Sequence, residues 1–166
     1  MGPQLFESWH VTRFLVGIPP TYLNMLLQRK LYGITASVSG RRGDKNSRRF
    51  DEETVLGIAL VWMLFRCGLR TDPVRRILND IAETKHADAS TAAIILLQAD
   101  LRYLVITRDL RDPGGGDDLD LKVTATDWQE DVADIVAKNP TESVLVLPVR
   151  EIFASVHRGM ALIQGG

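Results

Sequence analysis

The apolar positions in the first part of the chain recur at helical spacing, and short turn-forming segments separate them. We predict a helix over residues 7–16 that ends at Gly17, and a second helix that begins near Pro20 and ends near residues 32–33. Proline is tolerated before a helix and in its first turn but not in its interior, so Pro19 and Pro20 mark the start of the second helix. Two short helices joined by a turn with a glycine are typical of a helix-turn-helix.

The next segment predicts a β-hairpin, which we call the wing. Residues 34–38 are rich in β-branched side chains and predict a strand, residues 39–47 a polar turn, and residues 48–50 the return strand. Asp51 is a good N-cap for a helix that ends at Gly68, and a further helix begins near residues 71–72. The predicted order is therefore helix, helix, two-stranded wing, helix, helix.

The second half of the chain has a different pattern. Apolar or alternating runs predict three strands that form an antiparallel β-meander, at residues 92–97, 103–107 and 119–124, with a glycine-rich loop at 109–118. A helix from Asp127 to about residue 139, a buried strand at 143–147 and a helix over 148–162 follow. The predicted fold class is α+β: a winged helix-turn-helix head (residues 1–85) followed by a small acidic α+β domain (residues 86–166).

Three stretches of the first half resemble the DNA-binding head of the MerR family of transcription regulators, and the last of them, residues 67–78, resembles the family's next helix junction. Residues 48–55 resemble the arginine, aromatic and acidic start of a helix in that family, and residues 17–32 align with its turn and recognition helix at Gly17, Ile18, Leu23 and Leu31. The resemblance covers about residues 8–82 and implies a winged fold that binds double-stranded DNA.

The chain also departs from the family pattern. Asn24, Met25 and Leu26 stand where members often have an arginine and two aromatic residues, and Leu27 replaces an acidic residue. The family's base contacts therefore do not carry over to these positions. After Leu78 there is no long heptad-patterned helix, so the coiled coil by which the family dimerises is not predicted.

The charge of the chain is divided between its halves. The formal net charge is −1, but residues 1–85 carry 13 Lys and Arg against 8 Asp and Glu, whereas residues 86–166 carry 7 against 13. The halves therefore have charges of +5 and −6. Five of the cations lie within residues 41–49. This asymmetry indicates that the first half meets an anionic partner such as nucleic acid.

Two sets of residues are candidates for DNA contact. The first set lies on the predicted recognition helix, whose amides and hydroxyls suit base edges, and the second in the wing, whose cations suit phosphates. The candidates are Thr21, Tyr22, Asn24, Met25 and Gln28 on the helix, and Arg41, Arg42, Lys45, Arg48 and Arg49 in the wing. The structural alternatives are core packing for Tyr22 and Met25, and plain solvation for the others.

Catalysis and cofactors are not indicated by the sequence. The three histidines are far apart in sequence, and neither a Cys/His metal-binding spacing nor a phosphate-binding glycine loop is present. Cys67, the single cysteine, stands in an apolar run, and we expect it in the core together with Trp9, Trp62 and Phe65. No apolar run reaches the roughly 20 residues of a membrane span and no signal peptide is evident, so we expect a cytoplasmic protein that requires no membrane.

The favoured hypothesis is a sequence-specific regulator of transcription that binds double-stranded DNA. We expect it to act as a homodimer without a cofactor, with a second domain that dimerises, binds a small-molecule effector or contacts another protein. One alternative is a protein-interaction adaptor built on a winged-helix fold, and another is a DNA-architectural or recombination accessory factor.

Overall fold

The structure, a computed structural model, describes residues 4–38, 48–109, 121–138 and 142–165. These residues form a mixed α+β fold with seven helices and two small antiparallel sheets. The helices are α1 (Ser8–His10), α2 (Pro20–Gln28), α3 (Glu52–Arg66), α4 (Thr71–Ala82), α5 (Ala89–Gln98), α6 (Gln129–Lys138) and α7 (Val149–Gln164). The strands are β1 (Phe6–Glu7), β2 (Arg49–Phe50), β3 (Tyr103–Asp109), β4 (Leu121–Thr126) and β5 (Glu142–Leu147).

The first two helices are where the sequence predicts them. α1 continues into a π-helical turn, Val11–Leu15, and Gly17 follows with φ of 70°. α2 begins at Pro20 as predicted, but it ends at Gln28 and not near residues 32–33. The reason is that Lys30 adopts the left-handed conformation, with φ of 47°, which ends the α-helical path.

A short turn holds the C-terminal end of α2 against α4. The turn Leu31–Gly33 buries Tyr32, whose hydroxyl donates to the carbonyl oxygen of Thr71 at 2.9 Å. A tyrosine hydroxyl is protonated at neutral pH and can donate, and burial raises the pKa of Tyr32 further, to about 12. The orientation of α2 is thereby tied to the start of α4.

The ribbon formed by β1 and β2 differs from the predicted wing. Residues 34–38 do not form the predicted strand, and only an isolated bridge joins Val38 to Arg49. β2 pairs instead with β1, in the register Phe6 to Phe50 and Glu7 to Arg49. Phe6 and Phe50 are both buried, and this burial explains why β1, which the sequence pattern did not reveal, is the partner of β2.

The centre of the molecule is the packing of α3 against α5. The sequence prediction of a strand at residues 92–97 is wrong, because this segment is part of helix α5. Asp88 caps α5 by accepting a hydrogen bond from the backbone N–H of Thr91 at 2.7 Å. The first turn of α5 lies so close to Gly57 of α3 that a Cβ there would stand 2.7 Å from the backbone nitrogen of Ser90.

The second sheet has the strand order β4-β3-β5 with both pairings antiparallel. All three of its strands lie within or beside segments predicted as strands, and the helices α6 and α7 are also confirmed. The predicted meander is wrong in its arrangement, because its first strand is helix α5. The last strand, β5, pairs with β3 and not with β4, the strand that precedes it in the chain. Helix α6 lies between β4 and β5 in the sequence. Asp109, where the glycine-rich loop was predicted to begin, is the last residue of β3, and residues 110–118 lie outside the described residues.

One cluster of buried apolar side chains includes residues from both halves, among them Ile58, Leu96 and Phe153. The division near residue 85 stays a prediction. Trp62 and Phe65 pack against this cluster, but Trp9 is 43% exposed and Cys67 is exposed, so these two were wrongly expected in the core. Cys67 stands at the C-cap, where α3 has already ended. Of the helices in the described segments, none has the length and apolar character needed to cross a membrane.

Candidate nucleic-acid interface

The polar side chains of α2 share the face that points away from the core. Leu23 and Leu26 are buried, and the helical repeat of 3.6 residues places Thr21, Asn24 and Gln28 on the opposite side. All three of these polar residues are exposed. The sequence-predicted reading residues therefore form one accessible stripe, with Met25 half-buried and packed against the core.

Tyr22 lies at the side of this stripe and makes a packing contact. Its ring centroid is 5.2 Å from that of Trp62 on α3, although 45% of Tyr22 is exposed. Tyr22 thus joins α2 to α3 while keeping part of its ring accessible. Met25 thus shows the core packing considered as the alternative from the sequence, whereas Tyr22 is exposed and is not part of the core.

Arg48 reaches from the segment before β2 to the polar face of α2. Its Nη1 donates to Oδ1 of Asn24 at 2.9 Å. Two of the predicted residues, one from the helix and one from the wing, are thereby adjacent. Bidentate reading of adenine by an asparagine requires both its oxygen and its amide nitrogen. In this arrangement the Asn24 oxygen already accepts from Arg48.

Arg49 belongs to the other face of the ribbon. Successive side chains of a strand point to opposite sides, and Arg49 lies beside its cross-strand partner Glu7, with Nη2 3.7 Å from Oε1. The Arg49 side chain is 52% exposed, so this ion pair is weak and leaves the guanidinium accessible. Oε2 of Glu7 accepts from Nε1 of Trp9 at 2.7 Å. Glu7 therefore links Arg49 to an exposed aromatic side chain.

A hydrogen-bonded corner holds the ribbon in place beside α3. The Ser37 hydroxyl donates to Oδ2 of Asp51 at 2.6 Å, and the backbone N–H of Thr54 donates to Oδ1 at 2.8 Å. The backbone N–H of Ser37 also donates to the carbonyl of Arg49 at 2.8 Å. Partial burial alone would raise the pKa of Asp51, but the hydrogen bonds from Ser37 and Thr54 outweigh it and hold the pKa below its ordinary value.

Sequence reasoning found the N-cap role of Asp51, but it missed Ser37 and Glu7 as residues that position the arginines. The signal for Glu7 would have been the alternation of Phe6 and Glu7, which fits a short strand with one buried face. The remaining predicted wing cations, Arg41, Arg42 and Lys45, lie outside the described residues.

Within the described ranges, no group of three or more His, Cys, Asp or Glu side chains is placed to hold a metal ion. Comparison of the chain with models of known protein families gives no match, and comparison with curated protein sequences gives none.

Proposed function

We propose that this protein is a sequence-specific regulator that binds double-stranded DNA, with α2 in the major groove and the basic segment around β2 on the phosphate backbone. The observation that carries the proposal is the exposed stripe of Thr21, Asn24 and Gln28 beside Arg48. An α-helix fits the major groove, and amide side chains on its outer face match the donor and acceptor pattern of base edges.

The charge of the chain supports the same orientation. The surplus of +5 in residues 1–85 lies in the half that contains α2 and β2. Arg48 and Arg49 flank the ribbon on opposite sides, so one is next to the reading helix and the other is on the outer face. Cations in such positions contact phosphates and set the register of a reading helix on the duplex.

The contact between Arg48 and Asn24 has a consequence for reading. On a duplex, Arg48 would exchange the neutral Asn24 oxygen for a phosphate, which is a stronger, charge-assisted acceptor. The exchange would free both polar groups of Asn24 for a base edge. Arg48 thus keeps Asn24 oriented in the free protein and releases it on the correct surface. Among the residues that the structure describes, Gln28 has no such partner to exchange, so it would read a base directly.

We further propose that the protein acts in the cytoplasm as a homodimer joined through its second domain, because one short reading helix makes few base contacts and paired half-sites supply the rest. β5 supports this arrangement, since it is an edge strand of its sheet. Along the described segments β5 pairs with β3 alone, and an edge strand of this kind accepts a further strand.

The experiment that tests the proposal measures duplex affinity of single-residue variants at several salt concentrations. Gln28→Ala should lose about 1–3 kcal/mol on the preferred site and little on random DNA. Arg48→Ala should weaken binding to all duplexes and reduce the slope of log affinity against log salt by about 0.9. Gln98→Ala removes an exposed amide from α5 and is the matched control, which should bind like the wild type. Salt-independent binding, or equal effects of Gln28→Ala and Gln98→Ala, would contradict the proposal.

The adaptor hypothesis is a second candidate, and the exposed aromatic pair beside β1 favours it. Trp9 and Phe14 are 43% and 63% exposed, and their ring centroids are 5.6 Å apart in an edge-to-face arrangement. Exposed aromatic side chains are enriched at protein–protein contacts. Binding to a protein partner that Trp9→Ala abolishes, with no measurable affinity for duplex DNA at low salt, would favour the adaptor.

A further inference from the structure

A groove of about 300 Å³ lies between the turn Val11–Leu15, the C-terminal half of α3 and the start of α7. Its apolar wall includes Leu15, Trp62, Met63 and Ile152. Ligand pockets are typically lined in this way, with a few polar groups that fix orientation, and this volume is at the small end of their range. The groove joins helices of the predicted head to the first helix turns of α7, so an occupant would contact both halves of the chain.

Two side chains of opposite charge border the groove, Arg66 at the end of α3 and Glu151 in the first turn of α7. Both are exposed. Among the described residues, neither takes part in an ion pair or a side-chain hydrogen bond. The Arg66 guanidinium is therefore available to a ligand, and a guanidinium binds a carboxylate through two parallel hydrogen bonds.

The start of α7 adds to the preference for an anion. Pro148, which lines the groove, is the N-cap of α7, and no side chain caps this end of the helix. The first N–H groups of a helix carry partial positive charge. The features of this groove that favour an anion are thus the Arg66 guanidinium and the start of α7, which no side chain caps and where the Arg150 N–H donates to the carbonyl of Arg102, whereas Glu151 favours a cation.

We propose that this groove binds a small apolar carboxylic acid, with its hydrocarbon or ring portion against Trp62, Met63 and Ile152 and its carboxylate on Arg66. Trp62 has a second contact outside the groove, since its ring packs on Tyr22 of α2 at a centroid distance of 5.2 Å. An acid that packs against Trp62 would therefore bias the position of α2. An effect of the acid on DNA binding through α2 rests on the proposed function, whereas binding of the acid itself does not.

The test uses three probes that share a naphthyl ring and differ in charge. They are the anion 1-naphthylacetate, its neutral amide 1-naphthylacetamide and the cation 1-naphthylmethylamine. Each is titrated into the full-length protein without DNA while methyl NMR signals are recorded. The Met63 and Ile152 methyl groups should shift most, and that of Met160, which is buried on α7 and does not line the groove, should shift least. The acid should bind about fivefold more tightly than the amide, as expected for a partly exposed charge pair.

Variants locate the site and its charge preference. Arg66→Gln should remove the preference for acid over amide, whereas Arg158→Gln, an exposed arginine of α7 outside the groove, should leave it unchanged. Ser155→Trp should abolish binding of every probe by filling the groove from an exposed position, so the fold is preserved.

The proposal is overturned if the Met63 methyl does not shift, if the amide binds as well as the acid, or if the amine is preferred. Because these titrations contain no DNA, a protein that binds the acid but no duplex would contradict the proposed function alone. A protein that binds duplex but no acid would contradict this inference alone.

Discussion

Gly57 is the residue on which the close packing of α3 against α5 most directly depends. A Cβ added at Gly57 would stand 2.7 Å from the backbone nitrogen of Ser90 and 2.8 Å from the backbone carbon of Ala89. Both atoms belong to the first turn of α5, and backbone atoms cannot rotate away as a side chain can. We therefore expect Gly57→Ala to push the two helices apart.

The magnitude follows from two opposing effects. Replacing a glycine by alanine within a helix gains about 1 kcal/mol of helix propensity. Overpacking a core costs about 1–3 kcal/mol, and contacts this short with backbone belong at the upper end of that range. Gly57→Ala should therefore lower the free energy of unfolding by about 2 kcal/mol net, which corresponds to a fall in Tm of about 4–8 °C for a chain of this size.

Gly159 of α7 provides a matched control. A Cβ there would stand 2.9 Å from Cδ2 of Leu15, the end of a side chain that can move, and the nearest backbone atom, the Phe14 oxygen, would be 3.4 Å away. The gain in helix propensity offsets this smaller cost, so Gly159→Ala should change the free energy of unfolding by less than about 0.5 kcal/mol. Equilibrium urea unfolding followed by far-ultraviolet circular dichroism measures both variants. A Gly57→Ala protein as stable as the wild type would refute the reasoning, as would equal losses for the two variants.

Two further predictions concern helix ends. Asp51→Ala should lower the free energy of unfolding by about 1 kcal/mol at pH 7, because it removes the N-cap of α3 and the partner of Ser37. The pKa of the Asp51 carboxyl group is lowered in the folded protein, so its ionised form stabilises the fold at pH values above its ordinary pKa of about 3.9, and this stabilisation is lost as the pH falls further. The difference in free energy of unfolding between the wild type and Asp51→Ala should therefore narrow below about pH 4. A difference that widens in acid would contradict this account. Glu83→Gly should raise the free energy of unfolding by about 1 kcal/mol, because Glu83 adopts the left-handed conformation, with φ of 51°, at the end of α4. Asp80→Gly, at a helical position of α4, should instead lower it by about 0.3–0.5 kcal/mol, and thermal unfolding of both variants checks the contrast in sign.

Local sequence signals were enough to predict the start of a helix where a proline or a capping side chain stands at that position. Pro20 marks the start of α2, and Asp51 marks the N-cap of α3, because proline and aspartate act through the backbone within one turn. Lys30 carries no comparable signal, because a lysine rarely adopts a left-handed conformation. The sequence pattern therefore predicts an end of α2 near residues 32–33, whereas the helix ends at Gln28.

The errors arose where tertiary packing decides between structures. Residues 92–97 are six consecutive apolar residues, so they show neither a strand nor a helix period. The N-cap of Asp88 with Thr91 was the signal that could have identified the helix. The pairing of β2 with β1 depends on two phenylalanines 44 positions apart, and no local pattern reveals such a contact.

For the candidate interface, the helical repeat correctly grouped Thr21, Asn24 and Gln28 on one exposed face, because periodicity is a local property. The hydrogen bond from Arg48 to Asn24 was not predicted, because the two residues belong to different elements. The separation of Arg48 from Arg49 across the ribbon follows from strand geometry once the register of β2 is known.

The central claim is that the exposed stripe of α2 reads a DNA sequence, and selection of bound duplexes from a random pool with the full-length protein tests it most directly. We predict a sequence motif with two-fold symmetry, its half-sites one or more helical turns apart, because a homodimer presents two copies of α2. Repeating the selection with Gln28→Ala should relax the motif at one position in each half-site, whereas Gln98→Ala should reproduce the motif unchanged. A pool that remains random after selection at moderate salt, or a motif unaffected by any substitution on the outer face of α2, would contradict the account.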